Sequence, residues 1–216
     1  MSISSSHLKR VVRRVTGLAV ALVASAAVAT TLSAPAVAAP KKQDLVWSAT
    51  PKLTKATDRT AQPRTTPWGA CGVSTDDQKL VSNFHRDLAT AANGGRIVPS
   101  GTTTFKCGNK GWGYRHLLYK NHDDDYADLA AGTGQNWRDV ADLALTKTLN
   151  DPTKVTFNED KNTFCFSTKI YLLNRSSGQQ VGSSIVYTII GNQNWNVITT
   201  YPPYPQAQCH SNEAER

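Results

Sequence analysis

KVTFNEDKNTFCFSTKIYLLNRSSGQQVGSSIVYTIIGNQNWNVITTY, residues 154–201, is the stretch whose reading decides the fold. Four runs within it, Lys154–Asn158, Thr163–Leu173, Ser183–Ile190 and Trp195–Tyr201, are rich in β-branched and aromatic residues, which suit a pleated, half-buried surface. Turn formers separate them: Glu159-Asp160-Lys161-Asn162, Ser176-Ser177-Gly178 and Gly191-Asn192-Gln193-Asn194. Connections this short join antiparallel neighbours, so the stretch predicts a four-stranded meander.

Upstream of Pro152 the texture changes. Leu80, Val81, Phe84, Leu88 and Ala91 recur at helical spacing, with Ser74 or Thr75 as a cap, Asp76 and Asp77 at the positive end of the dipole, and Asn93-Gly94-Gly95 as a stop. A turn-rich stretch with Pro99 and Gly101 leads to Cys107. A second helix is expected from near Trp112 over Tyr114 to His122. A third is expected from about Asn136 to Leu149, burying Trp137, Val140, Ala141, Ala144 and Leu149, and Asn150-Asp151-Pro152 ends it. Helices first and strands after predict an α+β fold, with N-terminal helices packed on one face of a four-stranded antiparallel sheet.

The chain's start reads as an export signal over residues 1–38. Lys9, Arg10, Arg13 and Arg14 precede an apolar core from Gly17 to Ala29, and Ala36-Val37-Ala38 supplies the small residues that place cleavage after Ala38. Residues 39–68 are basic and rich in Pro and Thr, which predicts a flexible linker. A single compact domain follows over residues 69–210, with a tail at 211–216. Losing those four cations leaves 20 basic against 16 acidic residues, a net charge of +4. Such a charge permits a polyanionic partner without demanding one. Cys71, Cys107, Cys165 and Cys209 are widely spaced and even in number, the pattern of two disulfides in an oxidising compartment. Sequential pairing is the simplest of three connectivities. The domain is expected to be secreted, monomeric and free of stable membrane association once the signal is removed.

Four of the five histidines, His85, His116, His122 and His210, lie beyond the signal. His85 beside Phe84 and His210 beside Cys209 read as surface or packing residues. His116 and His122 fall in the run Gly113-Tyr114-Arg115-His116-Leu117-Leu118-Tyr119-Lys120-Asn121-His122. Cleaving RNA through its own 2′-hydroxyl needs a base, an acid and cations around the phosphate. Histidine suits both proton transfers because it titrates near neutrality. Arg115 and Lys120 offer the positive charge. His116 and Lys120 share a helix face, whereas His122 reaches the same side only if the helix breaks near Asn121. On the last strand Thr199 and Tyr201 face one way, and Ile198 and Thr200 the other.

Gly-Tyr-Arg-His, the Lys/His segment, the strand meander and the closing Ile198-Thr199-Thr200-Tyr201-Pro202 together resemble the barnase–colicin D-like ribonuclease domains of bacterial polymorphic and contact-dependent toxins. The resemblance spans about Trp112 to Pro202 and implies catalytic roles for His116, Lys120, His122, Thr199 and Tyr201. Arg115 and Thr200 are the further candidates for substrate binding. It implies an RNA substrate and an immunity protein as a second partner, and the proton-transfer mechanism expects no cofactor and no metal. Three features depart from the family: Asn121 separates Lys120 from His122, the domain is expected to stand alone, and it is expected to carry disulfides. A non-enzymatic binding or inhibitor domain is the competing reading. Asp123-Asp124-Asp125 reads as a solvated acidic turn, since it lacks the alternating oxygen ligands of a calcium loop. Trp112, Trp137 and Trp195 read as core packing, and no GxSxG or HExxH motif points to another hydrolase.

Overall fold

The computed structural model of the chain describes residues 44–53, 68–203 and 209. The expected export signal, most of the expected linker, His210 and the expected tail lie outside the described residues. Nine strands and three helices lie within them: β1 Leu45–Ser48, β2 Leu80–Arg86, β3 Ala89–Thr90, β4 Ile97–Val98, β5 Gly101–Lys106, α1 Tyr114–Tyr119, α2 His122–Ala130, α3 Trp137–Asn150, β6 Lys154–Asn158, β7 Thr163–Asn174, β8 Gln180–Gly191 and β9 Val197–Tyr201. No helix among them is long and apolar enough to cross a membrane.

The strands after Pro152 form where their composition predicts, each antiparallel to the next from β6 through β9. The rest of the expected architecture is overturned. The first regular elements are strands, the helices sit mid-chain, and strand residues outnumber helical ones. The main sheet has five strands, because β1 pairs with the C-terminal half of β7 on the edge whose N-terminal half takes β6. That fifth strand comes from the segment whose composition suggests a flexible linker. Trp47 fixes it: its indole Nε1–H donates to Leu129 O at 2.6 Å, its backbone N–H to Gln135 Oε1 at 2.7 Å, and its side chain is buried.

Instead of a first helix the chain makes the β2–β5 ribbon. Ser82, Phe84 and Arg86 oppose Phe105, Thr103 and Gly101 on its inner face, and the register slips between Leu80 and Ser82. A bulge of this kind puts two successive residues on one side of the strand. Val81 therefore turns inward three residues before Phe84, a spacing that mimics a helical stripe, while Leu80 and Leu88 stay exposed. Asn93-Gly94-Gly95 does reverse the chain, but between β3 and β4, and the Asn93 side chain pairs with both backbone groups of Phe157. Asp77 receives Arg115 rather than capping a helix.

α3 matches its expected span. The Asn136 side chain accepts from Arg138 N–H and Asp139 N–H, and Asp139 accepts from Asn136 N–H, a reciprocal cap. Val140, Ala141, Ala144 and Leu145 are fully buried and pack it on the sheet. Burying side chains such as Phe105, Phe164 and Phe166 contributes about 1.5–3 kcal/mol each. Trp137 and Trp195 pack against this core from its rim. The disulfides join Cys71 to Cys107 and Cys165 to Cys209, and such bonds mark an oxidising, extracytoplasmic environment.

Candidate active site

The expected second helix breaks where His122 needs it to. α1 is anchored at its start by Gly113 N–H, which donates to Ile198 O of β9 at 2.9 Å, and it ends with Lys120 N–H on His116 O. Asn121 is left-handed at φ 58°, and α2 begins at the next residue. The imidazole of His122 thereby lies against the last strand. Its ring stacks on Tyr201 with centroids 5.0 Å apart, and Tyr201 stacks on Tyr187 of β8 at 5.4 Å.

Asp125, one turn into α2, accepts from His122 Nδ1–H at 3.0 Å, and both side chains are largely buried. A carboxylate in this position fixes the tautomer, orients the ring and stabilises the imidazolium form in a proton transfer. The acidic run is thus the first turn of a helix, a position that favours negative charge. Asp123, beside it, has its carboxyl pushed up by burial. Thr199 lies two residues from Tyr201 on the same face. It is buried, and its hydroxyl has no hydrogen-bond partner among the described residues.

His116 sits on α1 with only 8% of its surface exposed. Its Nδ1–H donates to Lys110 O at 2.5 Å, which leaves Nε2 as the basic nitrogen. Burial holds its pKa below the ordinary imidazole value; the Lys110 carbonyl opposes the shift and the nearby Lys120 ammonium adds to it. The two imidazoles therefore differ in kind. His116 is a buried ring on a neutral carbonyl, kept in its neutral form, and His122 is a ring on a carboxylate.

Two expected substrate contacts are corrected. Arg115 is a clamp for the loop before β2. Its guanidinium donates to Asp77 Oδ1 at 2.6 Å and to the carbonyls of Gly108, Gly72 and Thr75 at 2.6, 2.7 and 2.5 Å. Four acceptors of the protein's own backbone and side chains take up both terminal nitrogens, which commits the guanidinium to holding this loop. Thr200 points into the core. It is fully buried, donates to Tyr187 O at 2.8 Å and accepts from the Tyr126 and Thr188 hydroxyls. Burial pushes the Tyr126 hydroxyl far above the usual phenol range, so it stays a donor. His85 is exposed and pairs with Asp87 within the β2 surface.

Sequence reasoning missed Asp125 and Tyr187. The i, i+3 spacing of His122 and Asp125 carried the first signal, since residues so spaced share a helix face. For Tyr187 only sheet register decides its place, opposite Tyr201.

No protein-family profile matches the chain, and no solved structure matches it. It is similar to two uncharacterised proteins of Mycobacterium tuberculosis, Rv0739 of strain H37Rv and MT0764 of strain CDC 1551, each 32% identical over 138 residues. The match covers 62% of this chain and 49% of each relative, so the chain spans about half the length of the curated relatives it matches.

Proposed function

We propose that the domain is a metal-independent endoribonuclease of the bacterial toxin type, exported by the signal at residues 1–38 and released after Ala38. The observation that carries this reading is the His122–Asp125 pair stacked on Tyr201, which joins an oriented imidazole to the closing strand, with His116 and Lys120 on the preceding helix. Opposite environments for two imidazoles divide the acid and base roles. Neutral His116 takes the proton of the 2′-hydroxyl through Nε2. The freed 2′-oxygen bonds to phosphorus, the bond from phosphorus to the 5′-oxygen breaks, and protonated His122 supplies that oxygen with its proton. Lys120 offsets the charge that builds on the phosphoryl oxygens. The products are a 2′,3′-cyclic phosphate and a 5′-hydroxyl. Tyr201 and Thr199 position the scissile nucleotide. RNA of another cell is the target, and an immunity protein in the producer is a partner the toxin reading allows.

The test is incubation of the mature, oxidised chain with single-stranded RNA in EDTA, with products analysed by mass spectrometry. Cyclic phosphate ends are expected, and His122→Ala lowers kcat/KM by roughly 10²–10⁴-fold, the usual worth of a positioned acid. Activity that disappears with EDTA overturns the mechanism. A wild-type chain that leaves RNA intact favours the binding-domain alternative.

A further inference from the structure

Tyr119, the last residue of α1, keeps 55% of its surface exposed although it is a large aromatic. Its neighbours are cations. Lys110 Nζ lies 5.0 Å from the ring centroid and Lys120 Nζ 6.0 Å. Both lysines belong to the His116 environment, since Lys110 supplies the carbonyl that holds its Nδ1 and Lys120 follows it by one helical turn. His116, Tyr119 and Lys120 are spaced i, i+3 and i+4, so they share one face of α1. Arg115, the other cation of the segment, is neutralised by Asp77. At this end of the helix a half-exposed ring thus carries ammonium groups over it, beside the imidazole assigned as base.

We infer that Tyr119, Lys110 and Lys120 form a base-stacking subsite for single-stranded RNA, placed to hold a nucleotide flanking the scissile bond. The inference rests on the ribonuclease reading for its location next to His116, but the binding chemistry is independent of cleavage. A nucleobase on the tyrosine face outweighs the exposed lysine–aromatic contacts it displaces, and the two ammoniums then meet the phosphates on either side. A base inside a duplex is stacked on its neighbours and cannot offer its face to the ring, so the subsite selects single strands.

The test uses a fluorescein-labelled single-stranded 2′-O-methyl RNA octamer, which lacks the hydroxyl needed for cleavage, titrated with the mature oxidised chain in EDTA. Fluorescence anisotropy reads the affinity. Tyr119→Ala is expected to weaken binding about tenfold, whereas Tyr119→Trp retains it, and circular dichroism confirms that both variants are folded. Lys110→Ala weakens binding and lowers the slope of log affinity against log salt by about 0.7. A duplex of the same sequence competes poorly. Binding of the octamer unchanged in Tyr119→Ala overturns the subsite even if the protein cleaves RNA, as does no binding by the wild type. Tyr119-dependent binding by a chain that never cleaves RNA upholds the subsite and removes the nuclease reading alone.

Discussion

At the scale of single residues, Arg115 and His116 are chain neighbours with opposite outcomes. Both are polar residues on a short helix, and nothing in the local sequence says which one serves the fold. Arg115 does, because its fork meets three loop carbonyls and Asp77. Arg115→Ala is expected to lower stability by roughly 2–3 kcal/mol, since carbonyls that lose a charged donor inside the fold carry that cost. Arg115→Lys should recover little of it, because one ammonium cannot reach four acceptors in that geometry. Urea unfolding decides the point; a lysine variant as stable as wild type would refute the clamp. For His116 the direction of the shift fixes the sign. Its folded pKa lies below the ordinary 6.5 because of burial. The unfolded chain thus takes up the proton first as pH falls. The stability this residue supports is complete above about pH 6.5 and is lost as pH drops through the folded value. His116→Asn, which keeps a donor toward Lys110 O, should unfold with a shallower dependence on pH over that acid range. The same shift places the acid limb of kcat/KM below pH 6.5 if His116 is the base. Activity that instead falls as pH rises through that range would exchange the two histidines' roles.

Elements read well from the sequence where their signals are local. β6 to β9 follow from strand composition and three short turns, and α3 from the apolar stripe of Trp137, Val140, Ala141, Ala144 and Leu149 ended by Asn150-Asp151-Pro152. β1 was hidden because Leu45-Val46-Trp47-Ser48 lies in a Pro- and Thr-rich stretch and its pairing partner is far away in the chain, on β7. β2 looked helical because a bulge gives Val81 and Phe84 a three-residue spacing. The candidate site was half legible. His122 and Tyr201 meet between α2 and β9, while the roles of Arg115 and Thr200 depend on partners distant in the chain. The turn before α1 governs whether the site assembles at all. Gly108 has φ 58°, and a Cβ there would stand 2.0 Å from the Trp112 carbonyl oxygen. Gly94, at φ 80° in the β3–β4 turn, has nothing within 4 Å of an added Cβ. Gly94→Ala is expected to cost about 1 kcal/mol from the left-handed backbone alone. Gly108→Ala must also move the Trp112–Gly113 backbone that hangs α1 on β9, so it should cost several times more and reduce RNA cleavage. Equal unfolding midpoints for the two variants would sink this account.

For the whole molecule the cross-links decide where it can work. The two bonds span 36 and 44 residues. In the chain-entropy account each removes about 4 kcal/mol of freedom from the unfolded chain. Together they match much of the 5–15 kcal/mol by which a domain is stable at all. They also act on different halves of the structure. Cys71–Cys107 ties the Arg115-clamped loop to β5, and Cys165–Cys209 holds Cys209 against β7 beside Tyr187 and Tyr201. Replacing either pair by serine should leave a folded but weakened domain, and replacing both should leave a chain that is unfolded at 37 °C. On the proposed reading of an exported ribonuclease, a reducing compartment would then hold the protein unfolded and inactive. Urea midpoints of the wild type, the two paired variants and the fully substituted chain measure this directly, with RNA cleavage followed across a titration of dithiothreitol. Cleavage should fall in step with loss of the folded state. A fully reduced chain that stays folded and cleaves RNA at the oxidised rate would show that compartment does not control activity.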